Sequence, residues 1–277
     1  MVLRHLRSVW YWSESRFKVN EINDSKLVTK QYASAGNLNT RISIHDKYST
    51  NKMGFGNWIF SNYEFEDGAK VLELGCGTGN MWIGKDELIG KCSKLVISDF
   101  SDAMVETAKG NIGERENTEY RVVDIQDIPF EDRSFDAVIA NMMLYHVPDI
   151  MKGLAEVRRV LRDGGRFYCA TYGEHGIMEY LSSVLSEYGF EDNTNKQFTL
   201  HNGENILRST FTEVKRLEYK DSLEVTEVDD MVDYIYSLTG MTSLVDVPKQ
   251  TIHDALERKM VDGVLKVPKE YGMFVVR

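Results

Sequence analysis

Residues 71–80 have the sequence Val-Leu-Glu-Leu-Gly-Cys-Gly-Thr-Gly-Asn, and this stretch decides the fold of the chain. Its apolar start is typical of a buried parallel strand, and the three glycines that follow predict a tight turn. Glycine lets the backbone adopt left-handed angles and approach a ligand that a Cβ would keep away. We expect a helix to begin near Asn80. The stretch therefore predicts a nucleotide-type site at the carboxyl end of the first strand of a doubly wound α/β sheet.

The spacing of the glycines separates two classes of ligand. A dinucleotide-binding turn has the pattern G-x-G-x-x-G, whereas Gly75, Gly77 and Gly79 give the pattern G-x-G-x-G. Glu73 precedes the turn, and its carboxylate would repel a pyrophosphate but attract an ammonium or sulfonium group. The stretch resembles the first motif of the class I S-adenosylmethionine-dependent methyltransferases. The alternative is that the glycines only form a turn, so the rest of the domain has to agree.

Four further stretches continue the pattern of a parallel sheet. Residues 95–99 predict a second buried strand that ends at Asp99, and residues 120–125 predict a third strand with an acid near its end. Residues 135–141 predict a fourth strand, and residues 161–168 predict a glycine turn that leads from a helix into a fifth. Strands separated by helical segments predict right-handed crossovers and a parallel sheet.

The resemblance implies a role for each acid at a strand end. In the family, the acid after the second strand holds the two ribose hydroxyls and the acid after the third meets the adenine amino group, which assigns these roles to Asp99 and Asp124. An alternative for Asp99 is a helix cap, shared with Ser101. Asp136 is interpreted as a strand-entry residue. The residues implied to bind the cofactor S-adenosyl-L-methionine are Tyr32, Arg41, Glu73, Gly75, Cys76, Gly77, Asn80, Asp99, Phe100, Met104, Asp124, Ile125 and Asn141.

The segment before the first strand is rich in serine, asparagine and aromatic residues. In many small-molecule members of the resembled family such a segment is helical and folds over the cofactor. Arg41 suits the methionine carboxylate because a planar guanidinium binds a carboxylate bidentately, although a surface arginine is an equal alternative. We expect a helical lid at 1–64, a cofactor-binding core at 65–175, a cap insertion at 176–212 and the completion of the sheet at 213–277.

The C-terminal part contains further predicted elements. Residues 214–225 predict a long strand, residues 229–238 and 251–260 predict helices, and residues 272–276 predict a final strand. A last strand that runs antiparallel to the others would match the sheet order of the resembled family. The expected fold is therefore α/β: a doubly wound, mostly parallel, seven-stranded Rossmann-like sheet with an antiparallel last strand and a helical cap.

The end of the predicted fourth strand is the candidate place for a catalytic base. Methyl transfer from a sulfonium is an in-line displacement in which the protein supplies closeness and alignment. The stretch Asn-Met-Met-Leu-Tyr-His at residues 141–146 lacks the two prolines that enzymes methylating nucleobase or glutamine amino groups carry there. Tyr145 and His146 are candidate catalytic residues, His146 as a general base. The alternative for His146 is packing beneath the cofactor with a bond to the backbone.

Composition excludes several classes of partner. The formal net charge of −10 argues against a nucleic-acid partner, because phosphate contacts need a basic surface. The three cysteines have no metal-ligand spacing, so we expect no metal and reduced thiols in a cytoplasmic protein. The sequence contains no run of about 18 apolar residues, so we expect no membrane span. The basic start of the chain has no apolar run after it and is not interpreted as a secretory signal.

The whole pattern most resembles the broad group that includes the ubiquinone and menaquinone biosynthesis methyltransferases. This resemblance implies an enzyme that transfers a methyl group from S-adenosylmethionine to the O, N, S or C atom of a small-molecule acceptor. Because the cap varies among members, the resemblance does not name the acceptor. Two alternatives stay open: a sensor or pseudoenzyme that binds the cofactor without methyl transfer, and an RNA or protein methyltransferase.

Overall fold

One seven-stranded sheet organises the part of the chain that a computed structural model describes, residues 35–238, 244 and 246–277. Its strands are β1 (Lys70–Glu73), β2 (Lys94–Asp99), β3 (Thr118–Val122), β4 (Phe135–Ile139), β5 (Leu161–Tyr172), β6 (Val214–Val225) and β7 (Leu265–Val276). The α-helices are α1 (Ala35–Tyr48), α2 (Phe55–Ser61), α3 (Asp86–Lys91), α4 (Asp102–Ile112), α5 (Ile150–Val160), α6 (Ile177–Leu185), α7 (Gly203–Arg208), α8 (Val228–Ser237) and α9 (Lys249–Glu257). Short 3₁₀ helices span Asn80–Trp82, Leu144–His146 and Ser186–Tyr188.

The strand order is β3-β2-β1-β4-β5-β7-β6. Strands β1 to β5 pair in parallel, whereas β7 pairs antiparallel with both β5 and β6. The expected fold class, a mostly parallel sheet whose last strand is antiparallel, is confirmed. The order reverses between β1 and β4, so the loops after these two strands diverge and leave a crevice at the carboxyl edge, which is where open α/β sheets bind ligands.

Helices cover both faces of the sheet because each presents an apolar stripe to it. On one face, α5 buries Leu154, Val157 and Val160 at helical spacing, and the carboxylate of Asp149 caps the helix by accepting from the Lys152 N–H at 3.0 Å. On the other face, residues of α2, α3 and α4 pack with Trp82 against the opposite side chains of β1 and β2. Because successive side chains of a strand point to opposite faces of the sheet, each face has its own apolar cluster.

The helix that was expected to begin near Asn80 does begin there, but it is short. A 3₁₀ helix over Asn80–Trp82 ends after one turn, and α3 begins only at Asp86. The reason is Gly84, whose φ of +73° is left-handed and interrupts the helical path.

The last strand is longer than expected, since it begins at Leu265 and not at residue 272. Its first half contains charged residues and Pro268, which argue against a central strand. However, β5 ends at Tyr172, opposite Tyr271, so β7 has only β6 beside it at Pro268, which pairs with Ser222. The first half of β7 is therefore an edge strand, where proline is tolerated.

The β6–β7 hairpin extends past the end of β5 and supports a cap beyond the carboxyl edge of the sheet. Leu223, Val225, Leu265 and Val267 of this hairpin form one apolar cluster with buried side chains of α1, α6, α8 and α9. The cap thus draws on the segment after residue 213, from which we expected only the completion of the sheet. Conversely, the buried side chains of residues 198–211, placed in the expected cap insertion, pack against the sheet beside α5.

A buried ion pair fastens the segment after α1 to the hairpin. Lys269 Nζ donates to a carboxylate oxygen of Asp221, and the two side chains are only 4% and 0% exposed. Lys269 also donates to Ser49 Oγ at 2.8 Å, and Asp221 accepts from the Asn51 N–H at 2.9 Å.

No helix in the described residues is long and apolar enough to cross a bilayer.

Candidate functional site at the carboxyl edge of the sheet

The glycine turn, residues 75–79, lies at the carboxyl end of β1 between the ends of β2 and β4. The Leu74 N–H donates to Ile139 O and the Cys76 N–H donates to Ser98 O, both at 2.8 Å, so the turn continues the sheet on both sides. All three glycines are left-handed, with φ of +70° at residue 75, +56° at residue 77 and +74° at residue 79. Side chains with a Cβ rarely adopt these angles, which explains the residue type at each position.

The surroundings of the three glycines differ. A Cβ at Gly75 would lie 2.8 Å from Met143 Cγ, and one at Gly79 would lie 2.7 Å from Ile112 Cδ1 on α4. A Cβ at Gly77 would meet no protein atom within 4 Å. Packing therefore accounts for the lack of a side chain at two positions, whereas Gly77 faces open space that a ligand can enter.

Glu73 lies beneath this turn and is 4% exposed. Its Oε2 accepts from Trp82 Nε1 at 2.6 Å. Burial raises the pKa of the Glu73 carboxyl to about 7, the Trp82 bond lowers it, and the charge of Asp99 raises it further. A positive charge above the turn would favour the ionised form of this carboxyl group, whose pKa is near neutral pH. Trp82 was not predicted as a site residue, although its position directly after the turn was a usable signal.

Asp99 organises the loop that joins β2 to the turn. Its Oδ2 accepts from the Gly77 N–H and its Oδ1 accepts from the Ser101 N–H, each at 2.9 Å. Ser101 is the N-terminal cap residue of α4, but its side chain makes no capping bond. Each carboxylate oxygen can accept a second hydrogen bond, so Asp99 can hold the turn and still bind two ligand hydroxyls.

Exposed apolar side chains lie beside Asp99. Phe100 is 59% exposed, and Val122, which pairs with Asp99 across β2 and β3, is 45% exposed. Such neighbours offer a flat apolar surface to a planar ring. After β3, Asp124 folds back on Gln126 by accepting from its N–H at 2.8 Å, and Ile125 is buried in the core beneath. Val122 was not among the predicted residues because its exposure follows only from its place at the strand end.

Asn141 and Met142 shape the end of β4. Asn141 is 7% exposed; its Nδ2 donates to Tyr63 Oη at 2.6 Å, and its Oδ1 accepts from the Ala170 N–H at 3.2 Å. Met142 has a left-handed φ of +54°. Strained backbone of this kind collects at binding sites, where surrounding contacts impose it. The predicted site residue Asn141 thus connects β4 to β5 and to the segment after α2.

The two candidate catalytic residues lie on the 3₁₀ helix after β4. The Tyr145 ring is 8% exposed and packs on His146 and Tyr172, with ring centroids 4.6 and 4.8 Å away. The backbone oxygen of Tyr145 accepts from Asn195 Nδ2. His146 Nδ1 is buried and has no hydrogen-bond partner among the described residues. Burial lowers the pKa of His146, which favours the neutral form that a base requires.

A cavity of about 100 Å³, open on one side to solvent, lies next to these residues, between the end of β5 and the cap. Tyr172, which the Tyr145 ring contacts, forms part of its wall, and Tyr234 of α8 and Tyr271 of β7 form another part. The glycine turn and this cavity therefore occupy the two sides of the β4 end.

The remaining predicted residues are distributed unevenly. Asn80 is exposed directly after the turn, Cys76 is half-buried within it with a thiol pKa raised by burial, and Met104 is half-buried on α4. Arg41 lies on α1 in the cap, close enough to Tyr234 for its charge to lower the pKa of that phenol. Tyr32 lies outside the described residues.

Comparison with known proteins shows which protein family this part of the chain resembles. Residues 72–169 match the family model described as a methyltransferase domain. The match covers β1 to β5, which is the part of the molecule that contains the glycine turn and both candidate catalytic residues.

Two curated proteins that are similar to this chain are named demethylmenaquinone methyltransferases. The chain is 34% identical over 111 residues to the demethylmenaquinone methyltransferase of Staphylococcus epidermidis, a match that covers 40% of this chain and 46% of that protein. It is 37% identical over 102 residues to the enzyme of the same name from Staphylococcus aureus, covering 37% and 42%. The chain therefore spans less than half the length of these curated relatives.

Solved structures share the fold of the methyltransferase domain. A putative methyltransferase from an antibiotic biosynthesis pathway of Anabaena variabilis has a TM-score of 0.55 at 12% identity, covering 80% of this chain and 96% of that one. A putative methyltransferase from Bacillus halodurans has a TM-score of 0.54 at 16% identity, with the same coverage. At these identities the likeness shows the fold alone.

Proposed function

We propose that this chain is an S-adenosylmethionine-dependent methyltransferase that acts on a small-molecule acceptor. The observation that carries the proposal is the open, left-handed turn at Gly77 with the carboxylates of Glu73 and Asp99 on its two sides. An acid under the turn suits a cationic ligand, and a second acid at the end of β2 suits a ribose. The matched family model and the quinone methyltransferase relatives support the same activity.

The residues at the edge fit the cofactor in a consistent order. Asp99 would accept hydrogen bonds from the ribose hydroxyls, and exposed Phe100 and Val122 would contact the adenine ring, with Asp124 near its amino group. Glu73 would compensate the positive charge of the cofactor from below the turn. Asn141 would bound the sulfonium end, and Arg41 stays a prediction for the methionine carboxylate. Tyr32 has no structural description, so its role is also a prediction.

The chemistry requires little from the protein beyond alignment. When bound, S-adenosylmethionine supplies a methyl group activated by its positive sulfur. An acceptor lone pair forms the new bond to the methyl carbon, the carbon–sulfur bond breaks, and its electron pair stays on the sulfur. Residues at the β4 end, Asn141 to His146, would hold the acceptor in line with the methyl group. His146, whose lowered pKa favours the neutral form, would take a proton where an acceptor must lose one.

The experiment that tests this function is a search for product. Metabolite extracts are incubated with the protein and methyl-labelled S-adenosylmethionine, and new labelled small molecules are sought by mass spectrometry. We expect at least one labelled product that is absent with the Asp99→Ala variant. Tight cofactor binding without any labelled product would favour a sensor or pseudoenzyme, and label in RNA or protein would favour a macromolecular acceptor.

A further inference from the structure

The cavity between β5 and the cap lies where an acceptor of the proposed reaction would sit. Tyr172 connects it to Tyr145 through ring contact, and Tyr145 lies on the loop whose Met143 touches Gly75 of the turn. The loop after β4 therefore joins the cavity wall to the glycine turn. The inference below rests on the proposed function and adds the class of acceptor.

The cavity wall carries an excess of negative charge. Four carboxylates line it, Glu174, Glu179, Asp192 and Glu270, against one lysine, Lys196, which gives the lining a net charge of −3. Lys196 is already paired with Asp192 at 3.0 Å. A cavity lined in this way concentrates cations and repels anions.

Most of the hydrogen-bond partners of these carboxylates are not permanent cations. Glu174 accepts from Thr199 Oγ1 at 2.9 Å, and Glu179 contacts His175 Nδ1 at 3.1 Å. Glu270 accepts from the His175 N–H at 2.7 Å, and Arg216 approaches it only to 3.8 Å. His201 Nε2 also lies 3.4 Å from Glu270, so the charges of Glu270 and Asp192 have basic partners, whereas Glu174 and Glu179 have no lysine or arginine paired with them among the described residues.

Aromatic rings form the opposite wall, and one of them presents an unused polar group. Tyr172, Tyr234 and Tyr271 line the cavity, and the faces of such rings attract cations. Tyr234 is only 6% exposed, yet its hydroxyl makes no hydrogen bond with any described residue. The side chain is largely buried while its hydroxyl lies at the cavity wall, where it is available to a ligand. A ligand N–H donor would satisfy the phenol oxygen directly.

We infer that this cavity binds the methyl acceptor through a protonated amino group, which the carboxylates attract and the phenol of Tyr234 receives. Three features agree on this class of ligand: the net negative lining, the aromatic wall, and the Tyr234 hydroxyl, which can accept from a ligand N–H. An anionic acceptor would meet four carboxylates, and a neutral acceptor would leave the charge of the wall uncompensated. The amino group is the part of the acceptor that the cavity recognises. Its recognition does not determine which atom of the acceptor receives the methyl group.

The test is a series of three probes that share a phenyl ring and differ only in the head group. Binding of 2-phenylethylamine, 2-phenylethanol and phenylacetate is measured by NMR titration, with and without saturating S-adenosylhomocysteine. We expect the amine to bind about tenfold or more tightly than the alcohol, a difference that such titrations resolve. We expect the carboxylate to bind more weakly than both.

Variants assign the effect to the cavity. Glu270→Gln and Tyr234→Phe keep the shape of each side chain and should weaken amine binding by roughly threefold to tenfold while the alcohol binds as before. Glu179→Gln changes a more exposed carboxylate and serves if Glu270→Gln fails to fold. Glu187→Gln removes an exposed carboxylate outside the cavity lining and is the matched control, with no expected change.

The outcomes separate this inference from the proposed function. Equal or tighter binding of the alcohol or the carboxylate overturns the inference, and so does amine binding that none of the cavity variants weakens. No binding of any probe at millimolar concentration also counts against it. If S-adenosylhomocysteine binds but the amine preference is absent, only the acceptor class is wrong. If S-adenosylhomocysteine does not bind, the proposed function fails irrespective of the probes.

Discussion

The glycine turn and the cap, the two halves of the carboxyl edge, are held by contacts between residues that lie at different separations in the sequence. At the glycine turn, the Gly77 N–H meets Asp99 across 22 residues, and Ser98 Oγ donates to Glu73 O across 25. In the cap, Lys269 meets Ser49 across 220 residues and Lys47 meets Asp230 across 183. The first half is built from backbone turns between neighbouring strands, whereas the second depends on side chains brought together by the finished fold. The proposed cofactor binding and the proposed acceptor recognition thus belong to regions with different structural constraints.

The largest effect should come from the buried ion pair of the cap. Lys269→Met leaves the Asp221 carboxylate buried without its cation, and we expect the free energy of unfolding to fall by about 3–5 kcal/mol. Urea unfolding measures the loss. Lys47→Met is the control, since its partner Asp230 lies in a more exposed pair, and we expect less than about 1 kcal/mol. Replacing both partners, as Lys269→Met with Asp221→Leu, should recover much of the stability; equal losses in both single variants would contradict this account of the cap.

The next effect concerns ribose recognition at the glycine turn. Asp99→Ala should weaken S-adenosylmethionine binding by about 1.5–3 kcal/mol, the range for hydrogen bonds to a charged group. Calorimetric titration measures the affinity, and thermal unfolding measures any loosening of the turn, because Asp99 also accepts from the Gly77 N–H. Asp124→Ala is the comparison, with a smaller expected loss. Normal binding by an alanine variant that melts earlier would leave Asp99 with the loop-capping role alone.

A smaller effect should appear in the pH dependence of cofactor binding. Burial raises the pKa of the Glu73 carboxyl to about 7 in the unliganded protein, and a cationic cofactor favours the ionised form. Protons are then released on binding, and the affinity should increase by up to about tenfold between pH 6 and pH 8. Titration at both pH values tests this, with Glu73→Gln as the variant in which the pH dependence should disappear. Proton uptake on binding would contradict the role of Glu73.

The same group predicts the pH dependence of stability without cofactor. Because the pKa of Glu73 is raised in the folded protein, the folded state binds more protons than the unfolded state between about pH 4.5 and pH 7. The contribution of Glu73 to the free energy of unfolding should therefore fall as the pH rises through this window. Comparison of wild-type and Glu73→Gln urea unfolding at pH 5 and pH 8 isolates the contribution; a relative gain of wild-type stability at pH 8 would have the wrong sign.

The smallest effect is expected at His146. If alignment supplies most of the rate, His146→Ala should retain turnover within about tenfold of the wild type once an acceptor is known, with His253→Ala on α9 as the control. A general base would instead cost about 10²–10⁴-fold in rate with cofactor affinity unchanged. A loss above about a hundredfold, together with the loss of one limb of the pH profile, would show that His146 acts as the base.

The sequence predicted the half of the edge that depends on local backbone. The turn, the parallel pairing of the first five strands and the antiparallel last strand follow from glycine spacing, apolar stretches and the resemblance, and the bounds of β6 agree with residues 214–225. It did not predict the break at Gly84, because a left-handed glycine inside a helical pattern has no distinct local signal.

The cap half was predicted less well for a physical reason. The early start of β7 depends on where β5 ends, which decides whether Pro268 lies at an edge. The cavity needs residues from α6, α8, β5 and β7 to meet, and no spacing in the sequence expresses that. Trp82 and Val122 were missed similarly, since their contact with Glu73 and their exposure beside Asp99 arise from the tertiary fold.

The most direct test of the central claim is calorimetric titration of S-adenosylmethionine into three proteins: the wild type, Gly77→Val and Gly113→Val. Both glycines have a positive φ, +56° and +85°, and a Cβ at either would meet no protein atom within 4 Å, so each variant introduces backbone strain without a packing clash. Only Gly77 lies in the glycine turn. We predict that Gly113→Val binds as the wild type does and that Gly77→Val binds at least about tenfold more weakly, equal to roughly 1.4 kcal/mol. Undetectable binding by the wild type, or equal affinity of the folded Gly77→Val variant, would contradict the proposal that the cofactor lies on this turn.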